Sequence, residues 1–193
     1  DTLERLTALH DKSLLIVDRD THAQPRYRML ETVRQYAAER LNEAGEGDDM
    51  RTRHLLHYVA LAERAAPGME GPRQGEWLGS LWHEQENLLA AHAWCAHAAQ
   101  GGERALRLTA SLWRYFLATA QYALGYRLAE AALGLARGGV ECADGALALV
   151  AMSLCAMRLG QYDVANSCAE RSLAICRSLD DAASIARALS AVG

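Results

Sequence analysis

Proline is nearly absent from this 193-residue chain: Pro25, Pro67 and Pro72 all fall in the first 72 residues, and none follows. Nothing in the last 121 residues therefore has to break a helix. No apolar run reaches the roughly 18 residues that a membrane span requires, and the N-terminus has no signal-peptide layout. Paired Cys-x-x-Cys motifs are missing as well. The five cysteines (Cys95, Cys142, Cys155, Cys168, Cys176) are odd in number, which favours reduced, buried thiols in a cytoplasmic protein over a disulfide framework. Nor is there a basic excess. The net charge is −4, which argues against a generic nucleic-acid-binding surface. No Gly-x-x-x-x-Gly-Lys-[Ser/Thr] loop occurs, so ATP hydrolysis by this chain is not expected.

What is abundant is alanine (37) and leucine (29), together about a third of the residues, a bias of packed helices. Along the chain, Leu3, Leu6 and Leu9 have helical spacing, Ser13–Val17 is a short apolar run, Asp18–Pro25 reads as a loop, and Arg26–Leu30 alternates polar with apolar. The spacing predicts helix, strand, loop, strand, and then a helix from Glu31 that Gly45 stops. From Asp48 the pattern is helical throughout. One segment runs to about Ala66 before Pro67-Gly68, and a second, holding Trp77, Leu78, Leu81, Leu88, Leu89 and Trp94, runs from Gly71-Pro72 to Gly101-Gly102.

Beyond that point the chain matches itself at an offset of forty. Gln121-Tyr122 falls on Gln161-Tyr162, Ala129-Glu130 on Ala169-Glu170, and Leu133 on Leu173. Ala146, Ala148, Leu149 and Ala151 likewise fall on Ala186, Ala188, Leu189 and Ala191. Each unit reads as a helix pair turning at Ala120-Gln121 or Gly160-Gln161, the signature of an α-solenoid. The predicted class is all-α with one small β-hairpin. Its expected divisions are 1–45, 46–102 (a helical connector) and 103–193 (repeats, the last one cut short). The start at Asp1 without methionine and the end inside a helical stretch lead us to expect a slice of a longer protein.

Residues 149–175 resemble a tetratricopeptide repeat, through Leu149, Met152, Ser153, Gly160, Tyr162, Ala165, Ala169, Ser172 and Leu173. Small residues at Ser153, Ala165 and Ala169 should let two helices approach closely while Tyr162 fills the wedge between them. The preceding unit departs from the motif, with Trp113 at a small-residue position and Gly125 in place of alanine, and so reads as an atypical capping repeat. The forty-residue period implies second helices longer than usual.

At the other end, Leu9-His10-Asp11-Lys12-Ser13-Leu14-Leu15, Tyr27–Ala37 (YRMLETVRQYA) and Glu39-Arg40-Leu41 resemble the end of the winged helix of STAND-class (NB-ARC type) signal-transduction ATPases. These are the ATPases of LuxR-like and antibiotic-regulator-type bacterial transcriptional regulators. Gly71-Pro72, Trp77-Leu78 and Glu84–Leu88 are similar to the connector that follows it. The resemblance implies a longer switch, with ATP or ADP and Mg held by a nucleotide-binding domain outside this chain. It assigns the repeats a sensor role in transcriptional control, and it leaves this chain with no cofactor or catalysis of its own.

Candidate sites follow from the repeat register. First helices line the inner face of such arrays, which puts Arg107, Ala110, Arg114 and Leu117 there from one unit. The next contributes Leu147, Val150, Leu154, Met157 and Arg158, and the last contributes Arg187 and Ser190. An apolar groove with four arginines suits an acidic peptide, another domain of the same protein or a charged small ligand. The alternative is that these arginines are solvated or paired with neighbouring glutamates. His54, His57, His83, His92 and His97, with Cys95, invite a metal reading, but 92, 95 and 97 cannot share one helix face. We read them as ordinary helix positions, and Glu63, Glu84 and Glu86 as solvated faces. Lys12, Arg26, Arg28 and Arg34 give the winged segment a basic cast, whereas Leu3, Leu6 and Leu9 with Glu4 suit packing better than base reading. DNA contact is therefore expected from domains outside this chain, and a helical DNA-binding module is the alternative function.

Overall fold

The computed structural model describes residues 2–18 and 26–179. Most of the expected Asp18–Pro25 loop, and the third copy of the repeat with Arg187 and Ser190, lie outside them. The described residues are all-α apart from one antiparallel two-stranded hairpin. Contacts divide the chain into two units, residues 1–50 and 51–193.

The first unit starts with α1 (Thr2–Asp11). Backbone bonds from Ser13 to His10 and from Leu14 to Leu9 close that helix, with Ser13 at φ 58°. That closure is why β1 (Leu15–Asp18) starts two residues later than the apolar run suggests. It pairs with β2 (Arg26–Met29) in the register Leu15↔Met29, Ile16↔Arg28, Val17↔Tyr27. The His10 ring lies 3.1 Å from the Leu15 carbonyl, joining helix to hairpin. α2 (Glu31–Glu43) follows. In its first turn Glu31 accepts two bonds from Arg34 (2.9 and 2.7 Å) and one from Gln35 (3.0 Å). These ties hold the Glu31 carboxyl below its ordinary range, the Arg34 bond contributing most. Gly45, at φ 74°, ends the helix in the left-handed conformation that glycine adopts without strain.

α3 (Gly47–Gly68) begins in the first unit and continues into the second, with Pro67 in its last turn. The expected single helix after Gly71-Pro72 is in fact two, α4 (Gln74–His83) and α5 (Gln85–Trp94), separated at Glu84. Neither proline nor glycine marks that break; Glu84 is instead held by side chains described below. Next come α6 (Gly101–Ala118) and α7 (Tyr122–Leu135), then α8 (Ala143–Arg158) and α9 (Tyr162–Ser178). Both helix-pair turns fall where the repeat register puts them, and each reverses through a positive φ, at Ala120 (55°) and Gly160 (76°). α6 packs on α7 and α8, α7 on α8, and α8 on α9.

The second helices are not uniformly lengthened: α7 has 14 residues against 18 for α6, whereas α9 has 17 against 16 for α8. The extra length of the period lies in the link 136–142, where Gly138 takes φ 81°. Two apolar cores result. One joins α3, α4, α5, α6, α7 and α8 through Leu55, Leu81, Leu88, Leu106, Tyr115, Phe116, Ala132 and Cys155; the other joins α8 and α9 through Leu149, Val150, Ile175 and Cys176. Two serines staple α8 to α9: Ser153 donates to the Ala165 carbonyl (2.7 Å) and Ser172 to the Ala146 carbonyl (2.9 Å). The approach is so close that no ring enters the wedge. Contrary to expectation, Tyr162 is 65% exposed, while Tyr122 packs against the larger core. Gly125 does the corresponding work in the first pair, since a Cβ there would stand 2.8 Å from Phe116 Cβ and 2.9 Å from Cys155 Sγ.

Candidate functional site

The expected groove residues do not form one exposed row. Ala110 and Val150 are buried in the cores and unavailable to a partner. Leu117, Leu147, Leu154 and Met157 are half-buried on the same helices, and Arg158 is exposed at the last turn of α8. The two arginines of α6 are engaged. Arg107 lies 3.4 Å from Glu63, 3.1 Å from Glu103 and 3.8 Å from Asp144, while Arg114 lies 2.8 Å from Glu70 with its guanidinium 4.1 Å above the Trp113 ring.

Glu63 lies on α3 and Glu70 in the turn just beyond its end, whereas Arg107 and Arg114, spaced by seven or two helical turns, share one face of α6. α3 therefore lines the surface beside α6, and the row Glu63–Arg107–Asp144 runs across α3, α6 and α8. The self-match omitted α3 because it begins only after Gly101. Burial pushes the Asp144 carboxyl up, Arg107 partly opposing it. Three arginines (Arg107, Arg114, Arg158) thus stand against four acids (Glu63, Glu70, Glu103, Asp144), and the described face has no positive surplus with which to select an acidic partner.

The glutamates expected as solvated faces divide. Glu86 is exposed, Glu63 pairs with Arg107, and Glu84 accepts bonds from Tyr58 and Asn87, both 2.7 Å. The next residue, Gln85, accepts from the Tyr115 hydroxyl (2.7 Å) and from Gln121 (3.0 Å), which also reaches Tyr115 and Thr119. Two polar clusters are thus fastened to adjacent residues at the start of α5.

The histidines separate too. His92 is buried, 3.4 Å from Thr109 Oγ1, and burial holds its imidazole below the ordinary range. His54 is lowered chiefly by burial and contacts the Tyr58 ring. His97 stacks on Trp94, whose indole donates to Thr52. Among the described residues no group of three or more His, Cys, Asp or Glu is placed to hold a metal ion. Burial also pushes the thiols of Cys95 and Cys155 up to about 11. No described helix is long and apolar enough to cross a membrane.

In the winged segment, α1 presents Thr2, Glu4, Arg5, Thr7, His10 and Asp11 to solvent and half-buries only Leu6 and Leu9; Leu3 is 62% exposed. Beside it Lys12 and Arg28 are exposed, Arg28 opposite Ile16 on the hairpin. Within the described residues the helix preceding the hairpin is thus open along its outer side.

Residues 1–42 match a family described as a winged helix-turn-helix domain. Over 201 aligned residues, 99% of this chain, the sequence is 34% identical to proteins of Mycobacterium tuberculosis and Mycobacterium bovis provisionally named HTH-type transcriptional regulators. It is also 41% identical over 72 residues to an uncharacterized protein of Mycobacterium tuberculosis. The chain spans 22% of the length of the first-named relatives. No solved structure matches it.

Proposed function

We propose that this chain serves an HTH-type transcriptional regulator as a DNA-facing winged segment followed by a helical array, and that it acts by binding, without catalysis or a cofactor of its own. The observation that carries this reading is the winged helix-turn-helix match over residues 1–42 on a helix–hairpin pair whose outer side is open, with Arg5, Lys12 and Arg28 exposed. The similarity of nearly the whole chain to regulators supports it. Seven basic and seven acidic residues in 1–42 leave no bulk field, so the contact is a local one to phosphates.

Fluorescence anisotropy of the 193-residue chain with a labelled mixed-sequence duplex at two salt concentrations tests it. The expected result is binding that weakens as salt rises, with a log–log slope that falls by about one for each of Lys12→Ala and Arg28→Ala. Binding indifferent to salt, or to both substitutions, refutes it. The array supports a second reading, a sensor for another part of the same regulator. The helix-pair architecture favours it, and the resemblance to STAND-class ATPases implies that an ATPase would be the element it biases, provided the partner binds one state better. Both readings place the protein in the cytoplasm.

A further inference from the structure

The second helices of consecutive pairs, α7 and α9, leave between them an open groove of about 220 Å3 with α8 beneath. Its floor is apolar and soft. Leu133 and Leu149 line it together with two sulfur side chains, Met152 and Cys168, all part of or packed against the α8–α9 core. Thioether and thiol sulfurs contact aromatic rings favourably. The sides carry opposite charges, exposed Glu130 on α7 and exposed Arg171 on α9, and Ser167 is exposed at the mouth. Among the described residues Arg171 has a loose ion-pair neighbour, Glu141 at 3.7 Å, with both side chains more than half exposed. Such a pair contributes little, so its guanidinium can turn to a ligand carboxylate.

A volume below the roughly 300 Å3 of drug-sized sites admits a single-ring molecule. One cationic and one anionic group above an apolar, sulfur-bearing floor call for a ligand that carries both charges at one end and a ring at the other. We propose that this groove binds a small aromatic zwitterion of amino-acid size, its ring on Met152 and Cys168, its ammonium at Glu130 and its carboxylate at Arg171. The site requires neither DNA nor a protein partner, and so goes beyond the function proposed above.

Isothermal titration of the full 193-residue chain with phenylalanine tests the assignment, with phenylacetate and phenethylamine as single-charge comparisons and alanine as the ring-free one. Saturable binding of phenylalanine is expected, with Kd on the order of a millimolar and about tenfold tighter than either single-charge compound, the loss of one charge-assisted bond. Arg171→Ala and Glu130→Gln should each weaken it about tenfold. Ser167→Trp, at an exposed position, should close the mouth and abolish it, with unchanged circular dichroism showing that the fold persists. Arg177→Ala, also exposed on α9 but outside the groove, should change nothing. Absence of saturable binding overturns the proposal, as does binding that survives Ser167→Trp. Phenylacetate binding as tightly as phenylalanine overturns the zwitterion assignment.

Discussion

Replacing Gly125 with alanine sets two effects of opposite sign against each other. Glycine inside a helix is worse than alanine by up to about 1 kcal/mol, because it loses more backbone freedom on folding. Helix propensity alone therefore predicts that Gly125→Ala stabilises α7. Packing predicts the reverse. The added methyl would stand 2.8 Å from Phe116 Cβ and 2.9 Å from both Phe116 Cγ and Cys155 Sγ. Phe116 and Cys155 are 2% and 0% exposed, and a Cβ cannot swing aside without its backbone, so α6 or α8 has to shift. Overpacking of this kind costs about 1–3 kcal/mol, and the net effect is a loss of about 1 kcal/mol. Gly79, inside α4 with nothing within 4 Å of its added Cβ, supplies the internal control, since Gly79→Ala should gain what propensity promises. All four tryptophans (Trp77, Trp82, Trp94, Trp113) lie beyond residue 50, so tryptophan fluorescence reports the second unit in thermal and urea melts. The expected shifts are about 2–4 °C, downward for Gly125→Ala and upward for Gly79→Ala. An upward shift for both would refute the packing argument.

Two further outcomes follow from burial. His92, held below its ordinary pKa inside the core, binds a proton less readily than it does in the unfolded chain. Stability is then unaffected above about pH 6.5 and falls as pH drops below that value towards the lowered folded one. Urea midpoints at pH 7.5, 6.5 and 5.5 should decline in that order, and His92→Leu should flatten the decline; an unchanged slope would count against His92 as the source. Alkylation by iodoacetamide at pH 8, followed by peptide mass mapping, should label half-buried Cys142 first, because Cys95 and Cys155 are buried with thiols pushed up to about 11. Equal labelling rates for Cys142 and Cys155 would contradict the arrangement of the α6–α8 core.

Local punctuation was the readable part of this chain. The α1–hairpin–α2 order, the stop at Gly45 and the reversal at Gly160 follow from periodicity and from glycines that tolerate positive φ, and the reversal at Ala120 follows from the repeat register although alanine does not favour its φ of 55°. What escaped depends on partners distant in sequence. Glu84, where the helix breaks, is bonded by Tyr58, 26 positions earlier. Tyr162 fails to enter its wedge because Ser153 and Ala165 have already closed it. The candidate face was legible as a set of helices but not as a charge pattern. Repeat register identifies α6 and α8, whereas two of the acids that occupy Arg107 and Arg114 come from α3 (Glu63) and the turn after it (Glu70), which the register never included.

The adjacency of Glu84 and Gln85 bears on how force would pass through the second unit. One residue is tied to α3 and the next to the α6–α7 reversal, so the start of α5 acts as a shared rivet. Turning α5 about its axis, or sliding it, strains both sets of bonds together. A displacement of α3 relative to the α6–α7 reversal should therefore be felt at both clusters through this one short stretch of backbone.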